Sequence, residues 1–174
     1  IVKVEDPKRC PRYIGRIVKN IKVGESPEWL KKRLASLGQK SINNVVDAAN
    51  YAMLLMGQPV HVFDLNTLAY SGKVPTVTVR LAREGETMTT LDGKDLVFDP
   101  SMLVMTDDTD VLDIAGIKGG NKAGITSETK NLVLETANFD GGPIRKTSTK
   151  LGIKTDASFR FEHELSPVLA ERGM

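Results

Sequence analysis

The chain has 174 residues, of which 40% are hydrophobic and 26% charged, and its formal net charge is only +2. This length suits one globular domain, and no run of about 18 consecutive apolar residues is present, so we expect no membrane span and no broadly basic DNA-binding surface. The only cysteine is Cys10, which excludes an internal disulfide and indicates a reducing compartment such as the cytoplasm. The chain opens IVKVEDPKRC without a methionine, so we expect residues 1–174 to be a single domain excised from a longer protein.

The first half of the chain predicts one or two strands followed by two helices. The segment RYIGRIVKNIKVGE mixes β-branched with basic residues, which favours strands. Ser26 is a candidate N-cap for the first helix, whose apolar stripe ends at Gly38. A second helix is predicted over residues 44–56, with Gly57 at its C-terminal end.

The second half of the chain is dominated by short strands. From Val77 onward the runs VTVRLA, ETMTTL, LVF, LVM, VLDIA and NLVLETA each predict a strand. The pair Asp92-Gly93 lies between two runs and predicts a hairpin with a type I′ turn. GPIRKTSTKLG predicts a helix ended by Gly152, and Asp156 is a candidate cap of a final helix. The segregated order of helices and strands predicts an α+β fold.

Four features stand apart from this framework, and each has an ordinary alternative. Glu135 lies in NLVLETA, which is apolar on both faces, so its carboxylate is expected to be buried unless it sits at a strand end beside a lysine. His61 in GQPVHVFD follows a stiff proline and either binds a ligand or packs as a hydrogen-bonded histidine. Asn50 is a candidate site residue or a plain amide. Thr155 and Ala157 in KTDAS mark a helix start that favours an anion or is simply capped.

Several common chemistries are absent from the sequence. There is no G-x-S-x-G motif, and Cys10 has no histidine nearby in sequence, so we expect no covalent nucleophile. His61, His163 and Cys10 are all the imidazole and thiol groups available, too few for a zinc site. The glycine cluster AGIKGG lacks the Lys-Ser/Thr pair of a P-loop. The sequence therefore predicts neither a metal nor a cofactor in this domain.

Six blocks taken together resemble a known family. In order and spacing, CPRYIGRIV, SINNVVDAANYAMLLMGQPVHVFD, LDGKDL, AGIKGG, NLVLETANF and GIKTDASFRFE are similar to the B3/B4 region of the bacterial phenylalanyl-tRNA synthetase beta subunit. The similarity runs from Cys10 to Glu162, nearly the whole chain. It implies a β-sandwich-like core of short strands with flanking helices, and an editing site that hydrolyses tyrosine wrongly esterified to tRNA(Phe).

The resemblance also implies roles for particular residues. The residues expected to carry out the hydrolysis are His61, Asn50, Gly119, Thr155 and Ala157. Glu135 is expected to bind the tyrosine hydroxyl. Many family members have an arginine where this chain has Lys40, so a bidentate contact to the tRNA end would become a single point charge.

Partners and cofactors follow from the resemblance as well. It implies a synthetase alpha subunit and the rest of the beta subunit as partners in an alpha2beta2 heterotetramer, with ATP and magnesium serving the parent enzyme rather than this domain. Two alternatives stay open at this point: a non-catalytic tRNA-binding or subunit-packing module, and a free-standing protein that edits in trans.

Overall fold

The computed structural model describes all residues from 1 to 174 and contains five α-helices and ten β-strands. The helices are α1 (Glu28–Ser36), α2 (Asn44–Met56), α3 (Gly141–Leu151), α4 (Asp156–Phe161) and α5 (Leu169–Gly173). The strands are β1 (Val2–Val4), β2 (Arg12–Val18), β3 (Val60–Asp64), β4 (Val77–Leu81), β5 (Thr87–Thr89), β6 (Asp95–Val97), β7 (Leu103–Thr106), β8 (Val111–Ile114), β9 (Lys118–Gly119) and β10 (Leu132–Asn138). The predicted α+β class is confirmed, and each of the six runs that predict a strand after Val77 overlaps one.

Two main sheets share one apolar core. The larger sheet has the strand order β1-β4-β7-β8-β9, the smaller antiparallel sheet has the order β2-β10-β3, and β5 pairs with β6 as a separate hairpin. A cluster of 23 buried apolar residues includes Val104 and Leu112 from the larger sheet and Phe63 and Val133 from the smaller one. The two sheets therefore pack face to face, as in a sandwich. None of the five helices has the length and apolarity that crossing a bilayer requires.

Helix α2 forms as the sequence predicts. Its N-cap is Asn43, whose side-chain oxygen accepts hydrogen bonds from two backbone N–H groups of the first turn. Its C-terminal end is Gly57, in the left-handed conformation with φ of 76°. Ala49 and Met53 on the apolar stripe are buried. The helix is thus fixed at both ends beside β3, which follows it directly in the chain.

Asp47 anchors the loop that joins α1 to α2. Its carboxylate is fully buried and accepts hydrogen bonds from the hydroxyls of Ser26 and Ser41, at 2.5 and 2.6 Å, and from the backbone N–H of Ile42 at 2.8 Å. Burial raises the pKa of Asp47, but the bonds from Ser26, Ser41 and the backbone lower it more, so the pKa lies below its ordinary value. The loop is therefore held by an ionised acid.

Replacing Asp47 with alanine is expected to destabilise the fold by about 2–4 kcal/mol, because the buried hydroxyl of Ser26, the half-buried hydroxyl of Ser41 and one N–H group lose their acceptor together. Urea unfolding of the variant against the wild type measures this difference. Glu84→Ala is the matched control, since Glu84 is exposed and makes no hydrogen bond. Equal stability of the Asp47 and Glu84 variants would contradict this account of the loop.

Two predicted helix caps are wrong, because other side chains make the hydrogen bonds concerned. Ser26 is not the cap of α1: its hydroxyl is used by Asp47, and Pro27 occupies the N-cap position without a side-chain hydrogen bond. Asp156 does not cap α4, because Thr155 does so, with Ser158 completing a reciprocal capping box. Thr155 is one residue before Asp156, whereas Asp47, which binds Ser26, is 21 residues away in the chain.

The hairpin at Asp92-Gly93 is present, but its turn differs from the predicted type. The turn closes with a hydrogen bond from the N–H of Gly93 to the carbonyl of Thr90, and only Gly93 has a positive φ, at 80°. A type I′ turn needs positive φ at both central residues. This hairpin therefore uses a longer loop in which the glycine follows the turn. Strands β1, β3 and β9 and helix α5 were not foreseen from the sequence.

Candidate functional site

Strand alternation places Glu135 inside the sandwich. Successive side chains of β10 point to opposite faces, so Glu135 shares the core-facing side with Val133. In the antiparallel register, Glu135 lies opposite His61 and Val133 opposite Phe63. Only 4% of Glu135 is exposed, and its Oε2 has no hydrogen-bond partner. The alternative of a strand-end glutamate paired with a lysine does not hold.

A cleft of about 510 Å³ opens between the two sheets and is flanked by α2 and the start of α4. This volume is in the usual range for small-molecule sites, roughly 300–1,000 Å³. Six of the seven predicted site residues line it: Asn50, His61, Gly119, Glu135, Thr155 and Ala157. The fold therefore brings together residues from distant parts of the chain, and their roles stay predictions. The seventh, Lys40, is exposed and does not line the cleft.

The imidazole of His61 reaches across the cleft to the larger sheet. A Cβ added at Gly119 would lie 2.8 Å from Cε1 of this ring, so the glycine provides the room in which the ring sits. Phe63 packs against the other side edge-on, with ring centroids 4.6 Å apart. Although 31% of the side chain is exposed, the cleft is largely apolar, and burial lowers the pKa of His61 to about 4. The ring is neutral at physiological pH.

A second buried carboxyl lies beside this histidine. Oδ2 of Asp113, on β8, is 3.5 Å from Nε2 of His61, and Oδ1 of Asp113 has no hydrogen-bond partner. Burial, followed by the charge of Glu135, raises the pKa of Asp113 well above its ordinary value. Burial also raises the pKa of Glu135 to about 8, against a smaller lowering by the phenol of Tyr13. Burial thus favours the protonated form of both carboxyls.

The phenol of Tyr13 lies close to Glu135. It comes from β2, where Gly15 is the residue directly opposite Glu135. Burial and then the charge of Glu135 raise the pKa of Tyr13 well above its ordinary value. Its oxygen makes no hydrogen bond of acceptable geometry, even though Glu135 is close enough to affect its titration. The inner end of the cleft thus offers unsatisfied oxygen atoms to a ligand.

Replacing Glu135 with glutamine is expected to stabilise the fold increasingly as the pH rises. The folded pKa, about 8, lies above the ordinary value of 4.5, so between them the folded state keeps a proton that the unfolded state releases. In the wild type, the stabilisation by this proton is fully present at pH values below the ordinary pKa of 4.5. It is lost as the pH rises through the folded pKa of about 8. At about pH 9 we expect the variant to be more stable than the wild type by on the order of 2 kcal/mol.

Urea unfolding at about pH 5, 7 and 9 measures this effect. Glu128→Gln is the control, because Glu128 is exposed and should show no gain that depends on pH. An advantage of Glu135→Gln that stays constant across this range would contradict the raised pKa of Glu135.

The N-terminus of α4 is tied to the loop before β9. The hydroxyl of Thr155 accepts a hydrogen bond from the N–H of Ser158 at 3.1 Å and donates one to the carbonyl of Ile117 at 2.9 Å. Thr155 is therefore an ordinary N-cap of α4, which was one of the two alternatives for KTDAS. The cap uses the N–H of Ser158 and leaves the N–H groups of Asp156 and Ala157 free at the cleft.

Asn50 lies half-buried on the wall formed by α2, and its amide makes no hydrogen bond within the protein. Across the mouth, the amide nitrogen of Gln39 donates to Oδ2 of Asp156 at 2.8 Å and links the α1–α2 loop to α4. Nowhere do three or more histidine, cysteine or acidic side chains come together in a way that would hold a metal ion.

Asp113 is the site residue that the sequence analysis missed. The run VLDIA predicts a strand, and it places a carboxylate among apolar residues in the same way as NLVLETA does for Glu135. All four residues of β8 are buried. A charged residue inside a strand that is apolar on both faces was therefore the available signal.

Comparison with known proteins gives a consistent result. A family model described as the B3/4 domain matches residues 9–174. The chain is 47% identical to the phenylalanine–tRNA ligase beta subunit of Fusobacterium nucleatum over 161 residues, covering 92% of this chain and 20% of that protein. For the beta subunit of Thermotoga maritima the identity is 44% over 166 residues, covering 95% and 21%. The chain spans about a fifth of the length of these curated relatives.

A solved structure shares the fold. It is an N-terminal fragment of the phenylalanyl-tRNA synthetase beta subunit from Pyrococcus horikoshii, with a TM-score of 0.54 and 14% identity over 87% of this chain and 48% of the fragment. At this low identity the likeness concerns the arrangement of the elements alone.

Proposed function

Because this chain belongs to the B3/4 domain family, we propose that it is the editing domain of a phenylalanine–tRNA ligase beta subunit and hydrolyses the ester of tyrosine wrongly attached to tRNA(Phe). The observation that carries the proposal is the buried, unpartnered carboxyl of Glu135 at the inner end of an apolar cleft. In this proposal the parent ligase also supplies the alpha subunit of an alpha2beta2 assembly, the ATP and magnesium of aminoacylation, and a cytoplasmic location.

The need for such a site follows from the chemistry of the two amino acids. A pocket that binds phenylalanine through apolar contacts cannot strongly reject a ligand that only adds a hydroxyl. A second site must therefore prefer tyrosine. The phenolic hydroxyl of tyrosine would satisfy Glu135, whereas phenylalanine would leave that group buried and unpaired, which costs about 1–3 kcal/mol.

The hydrolysis itself needs positioning more than it needs a strong base. Water attacks the ester carbonyl, the ribose oxygen of the tRNA leaves with a proton, and no covalent intermediate with the protein is required. His61 and Asn50 orient the terminal adenosine and the attacking water, and His61 is a positioning group because a pKa of about 4 makes it a weak base. The free N–H groups of Asp156 and Ala157, with backbone near Gly119, hold the developing oxyanion.

Lys40 takes a lesser part in this proposal. Since it lies outside the cleft on an exposed loop, it contacts the phosphates of the tRNA end as a point charge rather than the reacting ester. Gln39, its neighbour in sequence, borders the cleft together with Ile42 and Asn43 of the same loop.

The direct test uses two preformed esters. The complete ligase and this chain are each incubated with tyrosyl-tRNA(Phe) and phenylalanyl-tRNA(Phe), and release of the amino acid is followed with time. We expect the complete ligase to hydrolyse the tyrosyl ester at least about tenfold faster than the phenylalanyl ester. Binding of tRNA without hydrolysis by the ligase would instead support a non-catalytic module. Equal activity of the free chain would support editing in trans.

A further inference from the structure

Asp113 is a buried acid to which the proposed reaction assigns no role. It lies in β8 directly opposite Gly119 of β9, at the point where the two sheets face each other across the cleft. Only 4% of the residue is exposed, and no protein group satisfies its Oδ1. A buried carboxyl without partners is unfavourable for folding, so its presence is best explained by what it does for a neighbour or a ligand.

That neighbour is His61, which comes from the opposite sheet. Its ring packs against Phe63, and the bare backbone of Gly119 leaves room for the ring edge that carries Cε1 and Nε2. The edge of the ring that carries Nε2 faces β8, with Nε2 3.5 Å from Oδ2 of Asp113. A contraction of a few tenths of an ångström would make this contact a hydrogen bond.

The protonation of the two groups decides which of them donates. Burial, followed by the charge of Glu135, raises the pKa of Asp113 well above its usual range, and burial lowers the pKa of His61 to about 4. Both shifts favour the neutral form of each group, in which the acid carries the proton. The other ionisable groups around the pair are Tyr13 on β2 and Lys118 on β9, and the Lys118 ammonium lies 3.5 Å from Asp92.

We propose that Asp113 is a positioning residue that donates a hydrogen bond to Nε2 of His61 and thereby holds the neutral imidazole as its Nδ1–H tautomer. The acid thus fixes both the orientation of the ring and the nitrogen that carries its proton. The consequence for the reaction rests on the proposed function: His61 presents an N–H donor, and not a lone pair, to the bound ester or its water.

The tautomer can be measured without any substrate. The chain has only two histidines, so ¹⁵N-histidine labelling gives two rings, and His163→Gln identifies the signals of His61. At neutral pH we expect His61 to show a protonated Nδ1 and an unprotonated Nε2. Asp113→Asn, whose amide can still donate, should keep this pattern. Asp113→Leu, of similar size but without a donor, should shift the ring toward the Nε2–H form that free imidazole prefers.

Two outcomes would overturn the assignment: a protonated Nε2 in the wild type, or an Nδ1–H ring that persists in Asp113→Leu. A second arm measures tyrosyl ester hydrolysis by the complete ligase. There we expect Asp113→Leu to lower kcat about tenfold with little change in KM, and Asp113→Asn to restore most of the rate. If the wild-type ligase leaves the tyrosyl ester intact, the proposed function fails, while the nitrogen signals still decide the role of Asp113.

Discussion

Alanine in place of Glu135 is expected to lower the preference for tyrosyl over phenylalanyl ester by about 10–100-fold. The loss should fall on the tyrosyl ester, because only its hydroxyl can reach the unpartnered oxygen at the inner end of the cleft. The rate for the phenylalanyl ester should stay the same or rise, since the shorter side chain removes a buried polar group. The ratio of kcat/KM for the two esters, measured on the complete ligase, is the quantity to compare.

Two further variants make this result specific to the hydrogen bond. Glu135→Gln keeps an oxygen that accepts from the phenol and should retain part of the preference. Glu128→Ala removes an exposed acid and should leave the ratio unchanged. If Glu135→Ala lowers both rates equally, the residue supports the structure of the cleft and does not select the substrate. If the ratio is unchanged, the assignment of Glu135 to the tyrosine hydroxyl is wrong.

The sequence was most informative where a residue type conflicted with its surroundings. Glu135 in an apolar strand predicted a buried acid, and the structure places it there. The position of His61 opposite that acid could not be predicted, because the register of β3 against β10 depends on the pairing of segments about 70 residues apart in the chain. Strand β3 itself was not foreseen. The six similar blocks therefore predict the family, whereas the local sequence patterns do not predict which site residues lie next to one another in the fold.

Competition from other hydrogen-bonding side chains explains the two wrong helix caps. Ser26 and Asp156 are good caps by type, but Ser26 is recruited by Asp47, 21 residues away, and Thr155 binds the helix end before Asp156 can. Tertiary hydrogen bonds of this kind leave no pattern in a single sequence. Asp113 is the opposite case. Its carboxylate among the apolar residues of VLDIA is visible in the sequence, but only the structure shows that it lies beside His61.

The stability of this chain and its proposed activity make opposite demands on the same residues. Glu135 and Asp113 are both buried, and each has an oxygen without a partner. Neutral or apolar residues of similar size at these positions would stabilise the fold. If both acids are kept for function, Glu135→Gln and Asp113→Leu should gain stability and lose selectivity or rate together. Replacing a residue that is needed only for folding would instead lower both the stability and the activity.

Changing Gly119 to alanine is expected to reduce hydrolysis of the tyrosyl ester by about 100-fold while leaving the fold intact. The added Cβ would lie 2.8 Å from Cε1 and 3.3 Å from Nε2 of His61, and 3.2 Å from Cδ1 of Leu91. Gly119 does not have a positive φ, so alanine is compatible with the backbone. Because the ring of His61 is the end of a side chain and can move, we expect the alanine to displace the ring and to leave β9 in place.

A double-mutant cycle distinguishes this cause from others. If Gly119 acts only by giving room to His61, then Gly119→Ala should add little to the loss already produced by His61→Ala. Gly24→Ala is the matched control, because no atom lies within 4 Å of a Cβ at that exposed glycine. Full additivity of the Gly119 and His61 substitutions would show that the glycine acts independently, through its own backbone, and the steric account would then be wrong.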